Sequence, residues 1–229
     1  MIFASDLDRT LIYSTRALKE YNQLDLDLVL VESANNHQSY MSKESYEMLE
    51  EISRKILFIP VTTRTNAQFK RLKLPLAKSQ NHFHITSNGA HIFVNGKKDL
   101  RWERKLQSKM ENLTYTSFHI AEQIKELQID PDKITIRNYQ NLYFSITGKE
   151  ASFKKEIKEW VLKVRGMGWK VYFHRNRCYI MPPFLKKGES IRYLKQELGE
   201  NVVWGAGDSI MDSSLLQVCE QKYVRNMVN

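Results

Sequence analysis

Nothing in this sequence offers a cysteine framework, a membrane-length apolar run or a surplus of acid. Among 229 residues there are two cysteines, Cys178 and Cys219, with no metal-ligand spacing between them. Two thiols in so long a chain make no disulfide scaffold, and both are expected to be reduced and structural. The densest apolar stretch, Ile56 to Val61, has the length of a strand and falls far short of the roughly 18 residues of a transmembrane helix. The chain opens on Ile2, Phe3 and Ala4 and then Asp6 and Asp8, without the basic start and apolar segment of a secretion signal, so a cytoplasmic protein is expected.

Against these absences stand 42% hydrophobic and 27% charged residues, the balance of a globular chain with enough apolar material for a core. The length suits a core with a modest second lobe. Thirty-five Lys and Arg against 26 Asp and Glu leave a formal charge of +9. That surplus favours anionic partners, among them a phosphorylated substrate or nucleic acid, and is equally the mark of a solvated basic exterior. The basic clusters, Lys70, Arg71 and Lys73 or Lys97, Lys98, Arg101 and Arg104, are short and scattered. They lack the interleaved aromatics of a single-strand groove, which speaks against nucleic acid.

The two ends of the chain share one pattern. Ile2 to Ser5 reads as a buried strand; Ser42 caps a helix with apolar positions at Tyr46, Leu49 and Ile52; Ile56 to Val61 is the next strand. Phe83 to Thr86 and Ile92 to Val94 follow, with Asn95-Gly96 as a hairpin signal. Further on, Ile191, Leu194 and Leu198 mark a helix stopped by Gly199, and Val202 to Ala206 a strand ending near Asp208. Strand, helix, strand is the pattern of a parallel sheet. The middle differs: a helix through Phe118, Ala121, Ile124 and Leu127 precedes strands at Ile134 to Ile136 and Leu142 to Ile146. A second helix through Phe153, Ile157, Trp160, Val161 and Val164 then precedes strands at Val171 to Phe173 and Cys178 to Met181. Two helix-strand-strand units predict an inserted lobe with its own sheet at 103–182.

Four elements at strand or helix ends carry the chemistry. Asp6-Leu7-Asp8-Arg9-Thr10 follows the first strand, where parallel sheets collect ligands. Thr62 closes the second strand; Lys187-Gly188 opens a helix; Gly207-Asp208-Ser209-Ile210-Met211-Asp212 follows the strand at Val202. Singly, each has a bland reading as a cap or a surface charge. A second Asp-x-Asp, Asp25 and Asp27, sits in an alternating Leu-Asp-Leu-Asp-Leu run and is read as solvated acids on one face of a strand. His82 and His84 would share a strand face at a spacing compatible with a metal, but no third ligand accompanies them.

With these four elements in this order the chain resembles the haloacid dehalogenase superfamily of phosphohydrolases. The similarity is closest to its Cof-type, sucrose-phosphatase-like and mannosyl-3-phosphoglycerate-phosphatase-like branch, and it runs through Asn88-Gly89-Ala90 and the repeated lobe over nearly the whole chain. The resemblance implies an α/β fold: a Rossmann-like parallel-sheet core from residues 1–102 and 183–229, and an inserted α+β cap of two αββ units at 103–182. It implies that Asp6 attacks phosphorus, while Asp8 first protonates the leaving oxygen and then activates water. Thr62 and Lys187 would hold the phosphoryl oxygens. Asp208 would ligate magnesium with Asp6 and the backbone carbonyl of Asp8, and Asp212 would support or complete that site. Phosphoryl transfer needs charge neutralisation and in-line placement, which one hard cation, one Lys and hydroxyl donors supply.

The implied activity is a magnesium-dependent phosphatase acting on a small phosphate monoester, a sugar phosphate or similar metabolite. The alternatives are a phosphomutase or other phosphotransferase, a non-hydrolytic regulator, and a nucleic-acid-binding protein. A roofing lobe would select the substrate, with Arg137, Tyr143, Tyr172, Arg175 and Arg177 as candidates; Arg64 would touch substrate or support its loop. Three departures stand out: Arg9 in place of the family's Gly, Met211 in place of Asn, and a long link from Thr10 to Ser42, where Leu24 to Val31 is expected to form a hairpin flap. The final strand, near Tyr223 to Arg225, is expected to be short.

Overall fold

The computed structural model describes residues 1–34, 37–76, 82–127, 129–150 and 152–224. The chain divides into two compact units, one of residues 1–103 with 186–229 and the other of residues 104–185. No helix among the described residues is long and apolar enough to cross a membrane.

The first unit is built on a four-stranded parallel sheet in the order Gln221–Val224, Val203–Gly207, Ile2–Ser5, Leu57–Pro60. Its central strand is apolar on both faces: Ile2 and Ala4 enter one cluster with Ile59, Ile191, Leu194 and Val203, whereas Phe3 packs against another with Leu7, Val31, Leu49 and Phe58. Burial on both sides is what a parallel sheet requires, and it explains why these strands read as continuous apolar runs. Val61 bridges in parallel to Ile85, joining a three-stranded antiparallel sheet of Phe83–Thr86, His91–Val94 and Lys97–Lys98. The Asn95-Gly96 turn adopts positive φ at both residues (49° and 78°), as expected for a two-residue hairpin. The last strand, Gln221–Val224, pairs in parallel with Val203–Gly207; Arg225, assigned to it from the sequence, lies outside the described residues.

The link between Thr10 and Ser42 differs from its sequence reading. Leu24 to Asp27 forms a turn, with Leu24 and Leu26 about half exposed, and the strand begins only at Leu28. An alternating run makes a strand only where a partner covers its apolar face, and here both leucines stay about half exposed. The hairpin pairs Leu28–Ala34 with His37–Ser42, which also pairs with Tyr13–Ser14. Ser42 then caps the helix Lys43–Lys55 through the backbone N–H of Ser45 at 3.2 Å.

In the second unit a four-stranded antiparallel sheet runs in the order Lys170–His174, Arg177–Met181, Tyr143–Gly148, Ile134–Tyr139. Its apolar face, with Phe144, Ile146, Val171, Cys178 and Ile180, packs on Ile120, Ile124, Phe153, Trp160 and Val164 from the helices. The helix expected through Phe153 and Val164 is two, Phe153–Glu156 and Lys158–Gly166, broken at Ile157. The two cysteines are buried free thiols in different units, pushed up by burial to about 12 for Cys178 and about 11 for Cys219, so both stay protonated.

Candidate active site

The parallel sheet delivers its acids at strand ends. Asp6 leaves the Ile2–Ser5 strand with its backbone N–H donating to Ala206 at 3.0 Å, and the chain then turns so tightly that the Leu7 carbonyl accepts from Thr10, Leu11 and Ile12. Arg9 takes φ 70° in that turn, a region that favours glycine. Its guanidinium is occupied by Glu20 at 2.9 Å and the Tyr21 hydroxyl at 3.2 Å. Thr10 donates its hydroxyl to Asp6 Oδ2 at 3.3 Å.

Lys187 opens the helix Lys187–Glu197 and is 1% exposed, a position that only a paired ammonium tolerates. Its Nζ donates to Asp6 Oδ1 and, at 2.6 Å, to Asp212 Oδ1. Gly188 makes that approach possible: a Cβ there would stand 2.0 Å from the backbone oxygen of Ser214. Gly207 does the same for the acidic loop, since a Cβ would meet Asp212 Cβ at 2.5 Å. Asp212 is fully buried, and its Oδ2 accepts from the backbone N–H groups of Asp208 and Ser209 and from the Ser209 hydroxyl, at 3.2, 2.9 and 2.7 Å. It thereby fixes the loop that presents Asp208.

Carboxylate oxygens of Asp6, Asp208 and Asp212 lie within 4.8 Å of one another. One ammonium cannot balance three buried carboxylates, and the surplus charge appears in their acidity. Burial first, then Asp212 and Asp8, push Asp6 up to about 8 although Lys187 pulls the other way. Burial and Asp212 lift Asp208 to about 6 against Lys187 and Arg9. Asp212 goes the opposite way: burial is outweighed by Lys187 and Ser209, and its pKa is lowered. Lys187 itself is raised, because Asp212 and Asp6 overcome the cost of burying it. Asp6 and Asp212 thus share one cation, and the additional donors from Ser209 leave the unmatched charge on Asp6. An all-oxygen donor set with negative charge to spare fits a hard divalent cation such as magnesium.

Thr62, fully buried, lies two residues beyond the Leu57–Pro60 strand. Its hydroxyl accepts from Arg64 N–H at 3.1 Å, and its backbone is pinned to Ile85 and to Asn88 in a turn where Ser87, Asn88 and Gly89 all have positive φ. Asp8 is gripped by Arg64, whose Nε and Nη2 each donate at 2.8 Å to one carboxylate oxygen. Arg64 Nη1 donates at 2.7 Å to Glu32, which comes from the hairpin and was not singled out in the sequence. A lone acid after Val29-Leu30-Val31 carries no motif, so nothing there announced it.

The remaining sequence candidates lie elsewhere. His84 stacks between Phe69 and Phe93, at ring distances of 4.3 and 4.7 Å, and shares a 3.0 Å hydrogen bond with Asn66. His84 thus packs between two rings, and the cluster of potential metal ligands found among the described residues is Asp6, Asp208 and Asp212. Arg137, Tyr143, Tyr172, Arg175 and Arg177 belong to the second unit. There Arg137, Ser145, Tyr179 and Tyr172 stand in one cross-strand row on the sheet face opposite the apolar core. Tyr143 stacks on Tyr139 at 4.3 Å, and Arg177 donates to Thr147 at 3.0 Å and to the Tyr179 hydroxyl at 3.3 Å. Arg175 sits in the turn before Arg177 at φ 56°.

The family model for sucrose-6F-phosphate phosphohydrolase matches residues 1–224. A search of curated proteins returns no match. Among solved structures, the sucrose-phosphatase from Synechocystis sp. PCC6803, in complex with sucrose and phosphate, is similar over 99% of this chain and 83% of that one, with 17% identity and a TM-score of 0.67. A trehalose-6-phosphate phosphatase related protein aligns over 100% and 93% at 16% identity and a TM-score of 0.55. A haloacid dehalogenase-like hydrolase from Bacteroides thetaiotaomicron aligns over 100% and 89% at 14% identity and a TM-score of 0.58. At these identities the structures bear on the fold, which is the haloacid dehalogenase fold.

Proposed function

The chain belongs to the sucrose-6F-phosphate phosphohydrolase family, and on that premise we propose that this phosphatase hydrolyses a small sugar phosphate or similar monoester through an aspartyl-phosphate on Asp6. The observation that carries the reading is the buried Lys187 ammonium set between Asp6 and Asp212 at the carboxyl ends of the sheet strands. An ammonium in that place neutralises a phosphate dianion that the acids alone would repel.

Asp6 attacks phosphorus in line with the ester oxygen; the P–O bond to the leaving group breaks, and Asp8 delivers its proton to that oxygen. Asp8 then takes a proton from water as the water attacks the aspartyl-phosphate, which releases inorganic phosphate and restores Asp6. Thr62 and Lys187 hold the non-bridging oxygens of the transferred group. Asp6, Asp208 and the backbone carbonyl of Asp8, with Asp212 in support, would hold magnesium, which would supply charge neutralisation to the phosphoryl oxygens. Selection among esters is assigned to the polar sheet face of the second unit that carries Arg137, Tyr172 and Arg177, with Tyr143 and Arg175; hydroxyls, aromatic rings and guanidinium groups suit a polyhydroxylated ester.

The test is hydrolysis of para-nitrophenyl phosphate with magnesium, repeated in chelator and with Asp6→Asn. Activity is expected to require the metal and to fall more than about 100-fold in the variant, more than the lower bound of an acid-base contribution. Full turnover in chelator, or by Asp6→Asn, refutes the mechanism.

A further inference from the structure

Glu32 is an acid that the reaction scheme leaves without a task, yet it is one of the buried carboxylates of the first unit. It is 3% exposed, and a buried carboxylate is tolerated only with close partners. It has three. Arg64 Nη1 donates to its Oε2 at 2.7 Å, Ser39 Oγ donates to the same oxygen at 3.0 Å, and Arg71 Nε lies 3.1 Å from Oε1 as an ion pair too poorly aligned for a hydrogen bond.

The backbone is shaped to bring it there. In the hairpin, Leu30 opposes Tyr40 and Glu32 opposes Ser39, so Val31 is an extra residue that breaks the register. A regular strand would send Val31 and Glu32 to opposite faces; the irregularity lets both be buried, Val31 in the apolar cluster beside Leu7 and Glu32 against Arg64. Bulges of this kind re-aim side chains next to functional sites.

Arg64 is therefore held at both ends. Its Nε and Nη2 form a parallel pair of hydrogen bonds to the two oxygens of Asp8, and its Nη1 is fixed by Glu32. A guanidinium is a rigid planar fork, so fixing one nitrogen fixes the plane in which the others meet a carboxylate. Asp8 itself is about half exposed, and packing alone does not choose its rotamer.

We propose that Glu32 is a positioning residue for proton transfer: through Arg64 it sets the orientation of the Asp8 carboxylate. The inference rests on the reading of Asp8 as the acid and base of the reaction. Its consequence is specific to the leaving group, because kcat/KM covers only the steps up to departure of the alcohol. Nitrophenolate departs without a proton, whereas phenolate needs one.

The experiment compares kcat/KM on phenyl phosphate and on para-nitrophenyl phosphate, with magnesium, for wild type, Glu32→Gln and Asp8→Asn. Glu32→Gln is expected to lose about 10- to 100-fold on phenyl phosphate, part of what a complete general acid supplies, and less than about threefold on the nitrophenyl ester. Equal losses on both esters mean a general role in folding and overturn the proposal, as does no loss on either. Should Glu32→Gln fail to fold, Glu32→Asp keeps the charge for both arginines but withdraws it by one methylene. The same split is expected of it, and an even loss or none refutes the proposal equally. Asp8→Asn separates the premise from the inference. A larger split in Asp8→Asn with none in Glu32→Gln removes Glu32 alone, whereas no split in Asp8→Asn removes Asp8 as the acid and the proposal with it.

Discussion

Replacing Lys187 by Met keeps the length of the side chain and deletes its charge, and the structure fixes what that should cost. The ammonium is 1% exposed and is shared by Asp6 and Asp212, themselves 5% and 0% exposed. Removing one member of a buried ion pair leaves an unmatched charge and costs about 3–5 kcal/mol. The cost should depend on pH in a definite direction. Asp212 is lowered below its ordinary value of 3.8, with Lys187 the main favourable cause, so it contributes stability above that value that is lost as pH falls. Lys187→Met removes that contribution. Without the cation, burial of Asp212 is opposed only by its hydrogen-bond donors, so ionising Asp212 weighs on the folded variant as pH climbs above about 4; Asp6, raised to about 8 and protonated in both proteins below that pH, adds to the gap only above it. The stability gap between wild type and variant should thus be wider at pH 8 than near pH 4.5. Near pH 4.5 it should be smaller, because the unfolded chains begin to take up protons on both aspartates there. Urea unfolding followed by far-ultraviolet circular dichroism, in chelator at the two pH values, measures it. Turnover should also fall about 100- to 1,000-fold, the loss typical of removing one transition-state donor. A gap below about 1 kcal/mol at pH 8, against the 3–5 expected for a broken buried pair, or one that does not change with pH, refutes the account of the charge triad.

Two further outcomes follow from the packing. Burial first, then Lys70 and His82, hold His84 down at about 4 against an ordinary 6.5, so the folded chain keeps it neutral. Stability should therefore be lost as pH falls from 6.5 towards 4, by up to about 3 kcal/mol, and His84→Phe should abolish that slope; equal slopes for variant and wild type count against it. Gly188→Ala places a methyl 2.0 Å from the Ser214 backbone oxygen and should cost about 1–3 kcal/mol or more while displacing Lys187. A variant with wild-type melting temperature and turnover would show that the helix has room the structure denies.

What the sequence makes legible is where chemistry meets the sheet. Asp6, Thr62 and Asp208 follow apolar runs that can only be buried strands of a parallel sheet, and such strands present their carboxyl ends to ligands. Lys187 is legible because a lysine and a glycine open a helix with an otherwise regular apolar face. The polar face of the second unit follows from period-two alternation, although the break at Ile157 does not. Conformations that depend on a partner are harder to read. The Leu-Asp-Leu-Asp run has the right alternation, but its leucines stay about half exposed, and it forms a turn.

Glu32 shows the limit most clearly, and for a physical reason. The identity of Asp6 belongs to the proposed reaction and its place to the strand before it, so both can be read locally. The place of Glu32 depends on one extra residue in a hairpin, on an arginine 32 positions away, and on an aspartate beyond that. Shifting the register by one residue would turn this acid to the opposite face without changing a letter of the sequence. Support for a catalytic group is specified by such chains of contact, each link of which has an ordinary residue type. The acids at the strand ends are therefore legible before the fold is known, and the residue that holds Arg64 against one of them is legible only after it.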